Sequence, residues 1–151
     1  MGFLDLDEKI VRVFSRYAVP LARFAIFIVF FWFGILKMLG LSPATPFVES
    51  LFELTISFIS FETFIVLFGV LEMVIGMLFL IPRATRVVIP LLFLHMVTTA
   101  MPLIMLPETA WSGFFVPTLE GQYIIKNLLI IACAFTIAGS IKPIRNEFFR
   151  N

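Results

Sequence analysis

The run FAIFIVFFWFGIL, residues 24–36, decides the class of this protein because it contains no charged side chain. It lies at the centre of a segment from Pro20 to Leu39, which has the length of about 20 residues that a helix needs to cross a membrane. Hydrophobic residues make up 61% of the 151-residue chain and charged residues 14%, whereas soluble domains average about 45–50% and about 25%. Twenty phenylalanines are too many to bury in one soluble domain of this size. We therefore predict an integral membrane protein with the lipid bilayer as its surroundings.

Three further segments are apolar over a comparable length, at residues 63–81, 87–106 and 123–141. The segment between the first two spans, residues 42–61, is too polar to cross a bilayer. No internal repeat divides the chain. The sequence thus predicts an all-α protein, a bundle of four transmembrane helices that forms a single domain over residues 1–151.

Most basic residues lie before the first span, between the second and third spans, or after the fourth. The loops after the first and third spans contain glutamates but no Lys or Arg. Cytoplasmic loops carry an excess of Lys and Arg, so we expect both termini on the cytoplasmic side of the membrane. Nine of the eleven basic residues follow this arrangement: Lys9, Arg12, Arg16, Arg23, Arg83, Arg86, Lys142, Arg145 and Arg150.

The N-terminal segment, residues 5–16, is predicted to form a short amphipathic helix. Leu6, Ile10, Val13 and Phe14 share one face of it. An anchor in the membrane interface is the favoured interpretation, and a specific partner site is the alternative.

The first outer loop, TPFVESLFELTISFIS at residues 45–60, is predicted to form a second amphipathic helix. Thr45 is the expected cap and Pro46 the first helical residue. Apolar residues recur at helical spacing at Phe47, Leu51, Leu54 and Phe58, with Glu49, Ser50, Glu53, Ser57 and Ser60 on the other side. The helix either covers the outer mouth of the bundle or is an ordinary connection.

Four ionisable residues lie within the spans, namely Lys37, Glu72, His95 and Lys126. Because a charge is costly in hydrocarbon, such groups face the bundle interior and usually have partners. We place Glu72 and His95 near the middle of the membrane, and Lys37 and Lys126 nearer its outer side. As an alternative, either lysine could extend its side chain to the membrane interface. The alternative for His95 is a hydrogen-bonded residue of the core.

Polar residues form one stripe on each span. The second span places Glu72 between Gly69 and Gly76, and small residues permit close helix approach. The fourth span places Tyr123, Lys126 and Asn127 on one face, with Gln122 beside them. The other stripes are Gly34 with Lys37, and His95 with Thr98, Thr99 and Pro102; because Pro102 has no N–H, the carbonyl of Thr98 lacks its usual donor.

These stripes predict a polar pocket in the outer half of the bundle, with Glu72 and His95 as its floor. We expect Lys37 and Lys126 to neutralise Glu72 and Glu120. The start of the fourth helix has routine features as well, because Thr118 suits its cap and Glu120 its positive N-terminal dipole.

Three stretches together resemble the DoxX-like family of bacterial four-helix membrane proteins: FFWFGILKMLGLSPATPF, GVLEMVIGMLFLIPRATR and PTLEGQYIIKN. The resemblance covers about residues 20–141. It implies the cytoplasmic (inner) membrane of a bacterium, and an association with quinone-linked oxidoreductases or with oxidative-stress systems. The single Cys133 excludes an intramolecular disulfide and a CxxC redox pair.

The leading functional hypothesis is a redox-associated protein that binds a quinone, or a similar small amphipathic ligand, in the outer pocket. Glu72 and His95 are the expected proton-exchanging residues. The expected ligand-binding residues are Lys37, Glu120, Gln122, Tyr123, Lys126 and Asn127. A small proton-coupled transporter and a non-catalytic scaffold for an oxidoreductase complex remain as alternatives, and no motif supports a metal, nucleotide or nucleic-acid site.

Overall fold

The computed structural model describes residues 3–56 and 58–143. The predictions for Ser57, Arg145 and Arg150 concern residues outside this part of the chain. The elements are α1 (Phe3–Met38), α2 (Thr45–Thr55), α3 (Phe61–Phe79), a 3₁₀ turn (Pro82–Ala84), α4 (Thr85–Ala100), α5 (Pro102–Met105), α6 (Pro107–Ala110), β1 (Trp111–Gly113), β2 (Val116–Pro117) and α7 (Leu119–Gly139).

Four helical segments are long and apolar enough to cross a membrane, as predicted: Leu4–Met38, Phe61–Phe79, Pro82–Met105 and Leu119–Gly139. They form a ring in which α1 and α4 each contact both α3 and α7. This arrangement confirms a mainly helical bundle and indicates a multi-pass membrane protein. We call the end of the bundle with Arg23, Arg83, Arg86 and Lys142 the basic end, and the opposite end, with Glu62, Glu108 and Glu120, the acidic end. The predicted orientation of these ends in the membrane stays a prediction.

The first helix is longer than the sequence predicted. α1 has 36 residues, or about 54 Å at 1.5 Å per residue, whereas the hydrocarbon layer is about 30 Å thick. The predicted amphipathic helix at residues 5–16 is therefore not separate, because the helix continues through Pro20 into the membrane span. Side chains of residues 4–18 are all exposed, so this segment adds no buried residue to the core of the described chain.

The outer-loop helix exists, but its packing differs from the predicted pattern. α2 begins at Thr45 with Ala44 as its cap, so the prediction of Thr45 as the cap is wrong. It buries Phe52 against Phe61 and Phe64 at the start of α3. The predicted apolar positions Leu54 and Phe58 are instead 58% and 83% exposed. The helix ends at Thr55, so Phe58 does not belong to it, and the helical spacing that linked Phe58 to Leu54 does not apply.

Helices α1 and α3 cross in backbone contact at their glycines. A Cβ atom on Gly34 would lie 2.6 Å from the carbonyl oxygen of Gly69, and one on Gly69 would lie 2.7 Å from the carbonyl oxygen of Gly34. A Cβ on Gly76 would lie 3.1 Å from the carbonyl oxygen of Phe27. These contacts confirm the close approach that the glycine stripe of α3 predicted.

The bundle core lies between this crossing and the basic end. Its buried apolar residues come from all four spanning helices: Ile26, Phe30, Ile75, Phe79, Val88, Leu92, Met96, Ala134 and Ile137. Apolar side chains elsewhere on the four helices are largely exposed, as expected where lipid tails replace water.

The acidic end is closed between α5 and α7 by a small hairpin that the sequence did not predict. β1 and β2 pair antiparallel, and the indole N–H of Trp111 donates to the carbonyl oxygen of Leu103 (2.9 Å). Thr118 caps α7 as predicted, accepting from the N–H of Gly121 (3.2 Å). Gly121 lies against the carbonyl of Ala110 without room for a Cβ, so α7 starts in a fixed position under the hairpin.

We expect Gly34→Ala to lower the free energy of unfolding by about 1–3 kcal/mol, because the added methyl group meets backbone that must move. Gly139→Ala is the matched control, since a Cβ there meets nothing within 4 Å and alanine favours helix. Thermal unfolding of both variants in the same detergent checks this. Equal melting temperatures for the two would contradict the tight crossing.

Candidate functional site

A buried ion pair joins α1 to α3. Lys37 Nζ donates to both carboxylate oxygens of Glu72, at 2.7 and 2.9 Å. Lys37 is only 7% exposed and Glu72 only 6%. The predicted pairing of these two residues is thus present, and Lys37 does not snorkel to the interface.

The direction of the two side chains follows from the glycine crossing. Gly34 lies level with Gly69, and side chains of an α-helix lean toward its N-terminus. Lys37 is three residues from Gly34 toward the acidic end, and Glu72 is three residues from Gly69 toward the basic end. Because the helices run antiparallel, the two side chains lean toward each other across about 9 Å of helix axis. The long lysine stem covers this distance.

His95 of α4 completes a cluster of three residues, which we call the buried triad: Lys37, Glu72 and His95. His95 is 4% exposed, and its Nε2 lies 3.3 Å from Glu72 Oε1. The ring is not aligned for a hydrogen bond at this distance, and among the described residues neither Nδ1 nor Nε2 has a hydrogen-bond partner. Buried polar atoms are nearly always hydrogen-bonded, so the unpaired N–H and lone pair of this imidazole make it a candidate ligand contact.

Two phenylalanines enclose the triad. The ring of Phe68 is stacked on His95 with centroids 5.0 Å apart, and Phe30 meets the same imidazole edge-on at 5.2 Å. Lys37 Nζ lies 5.6 Å from the centre of the Phe68 ring, within the range of a cation–π contact. Neither phenylalanine was predicted as a site residue, although Phe68 precedes Glu72 by one helical turn and therefore shares its face.

Polar groups farther along α4 do not extend the triad. The hydroxyl of Thr98 donates to the carbonyl oxygen of His95 (2.7 Å), and that of Thr99 to Met96 (3.1 Å). The carbonyl of Thr98, which loses its usual donor at Pro102, accepts from Met101 N–H instead (3.3 Å). These groups are satisfied within their own helix.

The predicted wall on α7 does not join the triad. Glu120, Gln122, Tyr123 and Lys126 are exposed on the monomer, and Lys126 Nζ lies 5.4 Å from the centre of the Tyr123 ring. The expected neutralisation of Glu120 by Lys126 is not among the ion pairs of the described residues. Lys126 leans toward the acidic end, as a snorkelling lysine does. Tyr123 and Lys126 do share one face of α7, as predicted. That face points away from the bundle interior, however, and not toward the triad.

Asn127 occupies a different position, in a cleft between α4 and α7. The cleft has a volume of about 160 Å³, and Met96, Thr99 and Leu128 also line it. Its lining is otherwise apolar, and Leu128 at its edge is exposed, so the cleft opens toward the lipid-facing surface. Met96 follows His95 directly in α4, so one turn of this helix contributes a residue to the cleft and a residue to the triad.

No family model matches this chain, and no curated protein or solved structure matches it. The resemblance to the DoxX-like family therefore stays a prediction. Within the described part of the chain, no group of His, Cys, Asp and Glu residues is arranged to hold a metal ion.

We expect Glu72→Gln and Lys37→Met each to lower the free energy of unfolding by about 3–5 kcal/mol, because each leaves a buried charge without its partner. The double variant should be clearly more stable than the sum of the two losses predicts. Thermal unfolding of the four proteins in one detergent measures this coupling.

Lys126→Met is the control for the lysine substitution, because Lys126 is exposed in another helix that is apolar enough to cross a membrane. Its melting temperature should stay close to that of the parent protein. Strict additivity in the double variant would mean that the buried pair does not stabilise the fold.

Proposed function

We propose that this protein is a redox-associated membrane protein that binds a quinone, or a similar small amphipathic molecule, and exchanges protons with it through Glu72 and His95. The observation that carries the proposal is the buried triad, in which an imidazole with no hydrogen-bond partner lies 3.3 Å from an ion-paired carboxylate. A purely structural ion pair needs no such imidazole.

The proton chemistry follows from the residue types. Imidazole takes up and releases protons near neutral pH, and Glu72 is a second acceptor within reach of it. Intramembrane Glu and His residues commonly form proton relays. Lys37 Nζ contacts both carboxylate oxygens of Glu72, which fixes this carboxylate beside the imidazole of His95.

The cleft between α4 and α7 supports a ligand of the quinone class. A quinone needs a hydrogen-bond donor for its carbonyl oxygen and an apolar surface for its tail. The amide of Asn127 supplies the donor, and the apolar remainder of the cleft supplies the surface. The volume of about 160 Å³ suits the ring of such a molecule, with its tail lying outside along the helices.

Reduction or oxidation of the quinone needs electrons from elsewhere. Cys133 is the one cysteine of the chain, and the described residues hold no metal-binding cluster. The electrons would come from a partner oxidoreductase, which is the role that the resemblance to DoxX-like proteins implies. In this proposal the chain supplies the membrane site and the proton path.

We expect a short-chain benzoquinone to raise the melting temperature of the detergent-solubilised protein by about 5–10 °C at a hundredfold excess over its dissociation constant. Asn127→Leu should weaken binding about five- to tenfold, because the hydrogen bond to the quinone is lost. His95→Phe, which retains an aromatic ring between Phe30 and Phe68, should bind the quinone about as tightly as the parent protein does, because His95 does not line the cleft. Titration followed by thermal shift measures all three proteins.

Lys126→Gln is the control, because this exposed residue precedes Asn127 directly and lies outside the cleft. Its quinone affinity should equal that of the parent protein. Absence of any quinone-induced shift in the parent protein, or equal affinities in all variants, would refute the proposal.

Proton-coupled transport is the second candidate, and the same buried triad favours it. The two proposals differ in where the proton goes, because a transporter moves it across the membrane together with a solute. Proteoliposomes with an internal pH dye distinguish them: acidification that depends on an added solute and is lost in His95→Phe would favour transport.

A further inference from the structure

A second cleft lies at the basic end of the bundle, far from the buried triad. Its volume is about 640 Å³, and its walls come from α1, from the turn between α3 and α4, and from the chain just after α7. The polar residues in it are Arg23, Ser140 and Lys142, and the apolar ones include Phe24, Leu80 and Ile141.

Arg23 is positioned in this cleft by the ends of two helices. Its guanidinium donates to the carbonyl oxygen of Phe79 (3.1 Å) and to the hydroxyl of Thr85 (2.7 Å). A guanidinium has five N–H donors, so three remain after these two bonds. The side chain is thus held firmly while most of its donors stay available.

Lys142 adds a second positive charge. Its backbone carbonyl accepts from Arg86 (2.8 Å), which fixes this part of the chain against α4. Its ammonium group has no hydrogen bond or ion pair within residues 3–56 and 58–143. No carboxylate of the described residues lines the cleft; the acidic residues of α1 end at Glu8, about 22 Å along the helix from Arg23.

The cleft joins this positive region to a lipid-facing surface. Phe24 is 51% exposed and Leu80 is 46% exposed; Phe24 belongs to the spanning helix α1, and Leu80 directly follows the spanning helix α3. Two cations with unused donors beside exposed apolar side chains match a molecule with an anionic head and an apolar tail. Basic pockets between transmembrane helices bind anionic lipid headgroups in this way.

We propose that the basic-end cleft binds the phosphate headgroup of one anionic phospholipid, with Arg23 and Lys142 contacting the phosphate and with the acyl chains lying along Phe24 and Leu80. The bound lipid joins α1 to the C-terminal end of α7. This site is independent of the quinone proposal, because none of its residues belongs to the buried triad or to the cleft of Asn127.

Native mass spectrometry of the detergent-solubilised full chain, titrated with phosphatidylglycerol or phosphatidylcholine, tests the site. We expect one phosphatidylglycerol to be retained and to raise the melting temperature, while zwitterionic phosphatidylcholine is retained several-fold more weakly. Lys142→Gln should lower the affinity for phosphatidylglycerol about fivefold, the effect of one cation near an anionic headgroup. Arg23→Gln should lower it at least as much.

Arg12→Gln is the matched control, because it removes one exposed positive charge on the projecting part of α1, outside the cleft. It should leave the retained phosphatidylglycerol unchanged. An equal loss in Arg12→Gln and Lys142→Gln would show general surface attraction and overturn the proposal. Equal retention of the two lipids, or the same thermal shift from inorganic phosphate alone, would overturn it as well.

Discussion

The ion pair between Lys37 and Glu72 is the interaction on which the rest of this structure depends. Two charges taken out of water are tolerated only when they meet with good geometry, and here they meet because Gly34 and Gly69 let two backbones touch. The pair in turn places a carboxylate beside His95 of a third helix. Helix crossing, charge compensation and the candidate site are therefore one arrangement.

The two ends of the bundle differ in their physical organisation. Toward the acidic end, α1 and α3 are in backbone contact, and a cleft remains between α4 and α7. At the basic end, Arg23 uses its side chain to hold the last turn of α3 and the first turn of α4. Arg86 does the same for the chain that follows α7. Side-chain hydrogen bonds thus reinforce the short connections at this end, whereas the acidic end has α2 and the hairpin.

Much of this architecture could be predicted from the sequence, because each prediction depended on one helix at a time. Four apolar runs define four spans, and the spacing of Gly69, Glu72 and Gly76 defines a face that must be buried. The rotation of α7 could not be predicted, because its polar stripe at Tyr123 and Lys126 satisfies both an inward and a snorkelling position. The hairpin after α6 was also beyond prediction, because its strands have only three and two residues. The sequence indicates only that Arg23 contributes to the orientation in the membrane. Its hydrogen-bond partners, Phe79 and Thr85, belong to other helices, so a pattern within one helix does not reveal them.

The buried pair also links the position of α1 in the bilayer to that of α3. Glu72 follows Lys37 by 35 residues, so the ribosome completes α1 before the counter-charge of its lysine exists. A lone lysine near the end of a nascent helix is held at the membrane interface by its preference for water. Only when α3 is inserted can the lysine turn inward. The depth of α1 and the depth of α3 in the bilayer are therefore linked through one ion pair.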